Sequence, residues 1–277
     1  MAKGLGLIGN FSGKVGNTVG YQLSSSNNGQ TQGVRIYQPN VKNPKTAAQA
    51  EQRAKLNPIN TTYRALKMII DRGYEGLPYG NKSRLAWLKK AFKATGMPWF
   101  VKGAIVDAPV ICEVTRGSLP GISYAANADG ISIDMTGVTG STDLSTVGKL
   151  STAFLAAYPS LKAGDQITFV ATSFKEDVLS TAVQSIVLDA TSAVAFVGAN
   201  AGDGNVMLET AIVGGAVAVI VSREGDNGEH LRSTAALKIS DAALAAAPYD
   251  ATSKADAIES YQAAAGGSSD WAEESLQ

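Results

Sequence analysis

Residues 202–228 read GDGNVMLETAIVGGAVAVIVSREGDNG, and this stretch decides the fold class. Two apolar runs, 206–212 and 216–222, are split by Gly214-Gly215. Turn formers close them at both ends, Gly202-Asp203-Gly204 before and Asp226-Asn227-Gly228 after. Short Val- and Ile-rich runs between such turns read as β-strands, with 216–222 apolar enough to be buried. The longest apolar run, 211–221, contains the glycine pair and falls well short of the ~20 residues a membrane helix needs.

The same texture extends upstream. Strand-like runs recur at 110–115, 121–126, 131–135, 166–173 and 182–188, and again downstream at 233–239. Ala128-Asp129-Gly130 and Ala163-Gly164-Asp165 separate some of them. Many short strands with regular turns predict an immunoglobulin-like β-sandwich over 107–240, interrupted by one amphipathic helix near 146–157. Beyond it, 241–277 is Ala-rich and predicts a helical tail. The chain end is acidic, Asp270-Trp271-Ala272-Glu273-Glu274, and reads as partly disordered, with Trp271 and Leu276 as docking candidates.

Before residue 107 the pattern differs. Asn28-Gly29 between strand-like runs predicts a β-hairpin over 15–38. Helices follow at 46–72, broken by Pro58 into two or kinked there, and at 82–94, where Leu85, Leu88 and Phe92 form an apolar stripe. The overall expectation is an α+β chain. A module at 1–106 (hairpin plus short helices) precedes the sandwich at 107–240 and the tail at 241–277.

Charge divides along the same line. The chain holds 24 basic and 24 acidic residues. Residues 1–106 carry 16 Lys/Arg against Glu51, Asp71 and Glu75, a net +13; residues 107–277 carry eight against 21, a net −13. A part so charged meets a polyanion or its opposite, in the same chain or another copy. The candidate binding set is Lys14, Arg35, Lys42, Lys45, Arg53, Lys55, Arg64, Lys67, Lys82, Arg84, Lys89, Lys90 and Lys93. Such cations bind phosphate backbone without sequence preference, by counterion release. Tyr21, Tyr37, Tyr63, Tyr74, Tyr79, Trp87 and Trp99 are interleaved and are candidates for base stacking.

Other chemistry finds little support. Cys112 and His230 are each the chain's single residue of their type, which excludes an intrachain disulfide, Cys/His zinc sites and most Ser-His-Asp arrangements. Cys112 reads as core and His230 as a loop residue. Gly4-Leu5-Gly6-Leu7-Ile8-Gly9 matches GxGxxG, but too few residues precede it to form the leading strand. Gly9-Asn10-Phe11-Ser12-Gly13-Lys14 is one residue short of a phosphate loop, with Val15 where a Ser or Thr belongs. Asp165, Asp189, Asp203, Asp226 and Asp241 mostly sit at turns, where Asp is an ordinary turn former rather than a Ca²⁺ ligand. No catalytic residue, cofactor or metal is expected. Residues 1–17 lack an apolar core, so no signal peptide is expected, and the expected location is the cytoplasm or a virion.

The stretch Gly9-Asn10-Phe11-Ser12-Gly13-Lys14-Val15-Gly16-Asn17-Thr18-Val19-Gly20-Tyr21, with Asn43-Pro44-Lys45-Thr46-Ala47-Ala48-Gln49-Ala50-Glu51-Gln52-Arg53 after it, resembles an uncharacterised family found in Bacteroidetes and their phages. Its members open with G-x-F-x-G-K-x-G-N-x-V-G-Y. The resemblance implies no enzymatic activity and a phage-associated structural role. The expectation is a non-enzymatic, homo-oligomeric, capsid-associated virion protein. Its partners would be further copies, other virion proteins, or DNA or RNA through the basic half, with no membrane contact. Alternatives are a host nucleoid-type DNA-binding protein and, more remotely, a carbohydrate-active enzyme using paired carboxylates.

Overall fold

The computed structural model describes residues 13–23, 31–37, 46–127, 130–209, 215–225 and 228–263. The chain divides into two units, Met1–Pro44 and Lys45–Gln277. It is a mixed α/β protein with several antiparallel sheets and, among the described residues, six α-helices.

The first unit is an antiparallel three-stranded sheet, β1 (Gly13–Val15), β2 (Thr18–Leu23) and β3 (Thr31–Ile36), in that order. The β2–β3 pair is the expected hairpin, with Thr18 opposite Ile36 and Leu23 opposite Thr31. Its tip at 24–30 lies outside the described residues. Strand β1 was too short to show alternation. It joins β2 through Gly16-Asn17, a two-residue turn whose first residue has φ +57°, a conformation glycine adopts at little cost.

The second unit begins with α1 (Ala47–Ala65), α2 (Lys67–Ile70) and α3 (Asn81–Ala91). Thr46 starts α1 by accepting the Gln49 N–H on its side chain. Helix α1 runs through Pro58, so of the two expected forms it is the single helix, and the break comes at Leu66 (φ −104°, ψ 13°). The buried stripe Ala50, Ala54, Pro58, Thr62 passes through the proline, so packing outweighs the one lost N–H bond. On α3 the stripe is also turned from the expected one. Ser83, Trp87 and Ala91 are buried, while Leu85 is 48% exposed. Burying the large indole sets the helix rotation.

Next come β4 (Glu113–Thr115), β5 (Tyr124–Asn127), β6 (Gly130–Asp134) and α4 (Val147–Ala157). Then follow β7 (Gln166–Lys175), β8 (Val178–Val187), β9 (Ala199–Gly202), β10 (Asn205–Glu209), β11 (Val217–Glu224), β12 (His230–Arg232) and β13 (Ala235–Ala236). An outer sheet has the order β5-β6-β10-β9 and a central sheet the order β12-β11-β7-β8, all antiparallel. The expected strands at 110–115 and 233–239 shrink to the small β4–β13 pair.

Alternation along β7 and β11 divides the interior in two. Ile167, Phe169, Ala171, Val217, Val219 and Val221 meet Ile131, Ile133, Val206 and Leu208 of the outer sheet, with Leu150 and Phe154 of α4. Val170, Ala216, Ala218 and Ile220 point the other way and bury with Ile59, Leu66, Ile70 and Trp87 of the helices. The central sheet is therefore covered on both faces. The boundary expected near residue 106 falls inside this unit, because α1–α3 have no core apart from the sheet. Strand β8 forms one edge of that sheet.

The expected tail is helical through α5 (Asp241–Leu244) and α6 (Ala251–Ala263), and α6 lies on α1. Glu51 of α1 pairs with Lys55 (2.9 Å) and with Lys254 of α6 (3.3 Å), and Lys55 and Lys254 both face the Trp99 ring. Trp271 and Leu276 lie outside the described residues.

Candidate functional site

The basic candidates sort by what surrounds them. In the first unit Lys14 is exposed, its Nζ 3.6 Å from the centre of the Tyr37 ring, and Arg35 is exposed on β3. Lys42 and Lys45 lie outside the described residues. In the second unit Lys55 is bound to Glu51, Lys67 to Asp71 and Lys90 to Glu113 (3.3 Å). Arg84 stacks 4.7 Å over the Tyr63 ring, and Arg53 is half-buried. Arg64, Lys82, Lys89 and Lys93 are exposed and form no ion pair among the described residues. Lys82 and Lys89, seven apart on α3, share one face, and Lys93 extends that line just past the helix end.

Three of the interleaved aromatics are not free to stack on bases. Trp87 and Tyr74 are buried at 0% and 6% exposure, and Arg84 covers a face of Tyr63. Tyr79, 55% exposed, is the described exception in this region. Burial pushes the Tyr74 hydroxyl well above its usual range.

Beside Lys89 and Lys90 an open cleft of about 630 Å³ runs along residues 74–77. Arg116 lines its far side. It is held there because Arg116 N–H donates to the Gly73 carbonyl (2.9 Å) and Glu75 N–H to the Arg116 carbonyl (2.9 Å). The Glu75 carboxylate accepts from the Ser118 N–H (2.9 Å), the Ser118 hydroxyl (2.9 Å) and the Arg232 N–H (3.2 Å). Burial works against that charge, but these donors hold the Glu75 carboxyl below the usual range. It therefore ties three segments together and keeps its negative charge beside the surrounding arginines.

Arg116 and Arg232 belong to the acidic half of the sequence, and reading charge along the chain missed them. Their place depends on long-range pairings, Tyr74 with Arg116 and the Leu119 N–H to the Arg232 carbonyl. Glu75, an isolated acid in a basic stretch, was the one local hint.

Acidic groups collect elsewhere in this unit. Asp134, Asp203 and Glu209 are exposed on the outer sheet and its β9–β10 turn. Asp165, read as a turn residue, is buried and gripped by Arg223 through Nε (2.6 Å) and Nη2 (2.7 Å). His230 begins β12 rather than sitting in a loop. Cys112 is half-buried against the helical core, and burial pushes its thiol up to about 12. Among the described residues no three His, Cys, Asp or Glu side chains are placed to hold a metal ion, and no helix is long and apolar enough to cross a membrane. No family profile, curated protein or solved structure matches this chain.

Proposed function

We propose that the chain is a non-enzymatic structural and assembly protein, a bacteriophage virion component, whose basic helical layer contacts nucleic acid or an acidic neighbouring subunit. The observation that carries this reading is the segregation of charge within one unit. Helices α1 and α3 and the turn after α3 present Arg64, Lys82, Lys89 and Lys93 without ion-pair partners among the described residues, while the outer sheet presents Asp134, Asp203 and Glu209 and α6 presents Asp256 and Glu259. Separate basic and acidic patches favour both polyanion binding and association of copies, and salt weakens both.

The immunoglobulin-like reading of the strands belongs with this proposal. Successive hairpins alternate between the sheets, and the orders β5-β6-β10-β9 and β12-β11-β7-β8 support a match to strands A-B-E-D and G-F-C-C′ of that sandwich.

Fluorescence anisotropy of the full chain with labelled single- and double-stranded DNA over a salt series, beside light scattering, tests the reading. Log affinity falling linearly with log salt, and weakened in the K82Q/K89Q/K93Q variant, supports a nucleic-acid contact. A mass that rises above monomer at low salt without DNA binding supports the neighbouring subunit. If neither response is seen at low salt, the proposal is overturned.

A further inference from the structure

A second cleft, of about 340 Å³, shares residues 74–77 with the first. Arg72 and Tyr79 line it from the helical side, and His230 and Arg232 from β12. The Arg72 guanidinium stands 5.5 Å from the Tyr79 ring centre, and the His230 ring lies 6.4 Å from the same ring on centres. Neither arginine pairs with a carboxylate among the described residues. Two carboxylates do line the cleft. Glu75 is engaged by backbone N–H groups as described, and Glu229 is exposed.

We infer that this cleft binds a phosphate ester, its phosphate held between the guanidinium groups of Arg72 and Arg232. Two guanidinium groups from segments 160 residues apart reach this one cleft, neither in an ion pair among the described residues, and both attract a phosphate there. Burial is the main cause that lowers the proton affinity of Arg232, the Arg72 cation adds to it, and the Tyr79 hydroxyl, which the guanidinium hydrogen-bonds, works against it. A planar guanidinium fork matches phosphate oxygens in pairs, which lysine cannot do. The volume lies near the lower end for small-molecule sites, roughly 300–1,000 Å³, so it accepts a phosphate with its sugar rather than a duplex. This inference rests on the polyanion reading above and adds a defined subsite to it.

Calorimetric titration of the full chain with inorganic pyrophosphate tests the cleft, and anisotropy with 5′-phosphorylated single-stranded DNA separates the two sources of phosphate. The variants are R72Q, R232Q and, as a control outside both the cleft and the lysine row, K102Q/K175Q at exposed positions. R232Q keeps the backbone N–H that supports Glu75; if R232Q fails to fold, R72Q at an exposed position carries the test. Pyrophosphate affinity should fall about ten- to hundred-fold in R72Q, the loss of one charge-assisted hydrogen bond, and stay unchanged in K102Q/K175Q. No pyrophosphate binding, or equal binding by R72Q, overturns the inference. If DNA binds the wild type and the cleft variants alike, the cleft fails while the polyanion reading stands. If pyrophosphate binds and R72Q loses it, while no DNA binds at any salt, the cleft stands and that reading fails.

Discussion

Asp165 shows what a single charge does inside this fold. It is 1% exposed, and its carboxylate receives two Arg223 bonds and the Lys162 N–H (2.7 Å). Burial opposes the charge, but Arg223 and the backbone donor hold the carboxyl below its usual range. Replacing Arg223 by Ala leaves a buried charge without its partner and should cost about 3–5 kcal/mol in urea denaturation. The pH dependence follows from the direction of the shift. With the folded value below the unfolded one, near 4, the stabilisation is complete above about pH 4 and is lost as pH falls through the folded value. D165N should therefore flatten the acid limb of a stability-against-pH curve, and an unchanged limb would refute this role. The residue was visible in the sequence only as a turn former, because its partner lies 58 positions away.

At the level of elements, the start of β11 depends on a glycine. A Cβ on Gly215 would overlap the Thr172 carbonyl oxygen, where β11 meets β7 and the Thr172 N–H donates to the Ala216 carbonyl (2.8 Å). Gly215→Ala should lower unfolding free energy by about 2–3 kcal/mol, read from the shift in thermal midpoint; a neutral effect would show that the strands can separate there. Elements whose signal is local were legible. Helix α4 begins where Thr146 caps it, and β7 and the β2–β3 hairpin follow their alternation and turn residues. Elements decided by tertiary contact were not. Pro58 reads as a break but packs as core, and Leu85 reads as core but faces water because Trp87 occupies the interior. Strand β9, only four residues long with no bulky side chain, gave no periodic signal.

For the whole molecule, the linear charge map and the folding map differ. Residues 1–44 carry four basic and no acidic residues, and 45–277 carry 20 and 24, so the steep divide at residue 106 lies within one folded unit. A fragment of residues 1–106 should not fold. Its helices would expose Ile59, Leu66, Ile70 and Trp87, and it should show no cooperative thermal transition and should bind a hydrophobic dye. A sharp, reversible melt of that fragment would contradict the shared core. The lysine row of the candidate site was legible from composition, whereas the arginines that complete it needed the fold.

The shared core also imposes an order in time. Helices α1–α3 are complete by Ala91, but the residues leading into β11 that cover them begin at Ala216, 125 residues later. At about 5–20 residues per second, a ribosome leaves those apolar faces waiting roughly 6–25 s. During that interval the nascent chain is at once sticky and strongly cationic, beside ribosomal RNA. Its yield in the cell should therefore depend on holding chaperones and on translation speed through 92–216, more than on the stability of the finished protein.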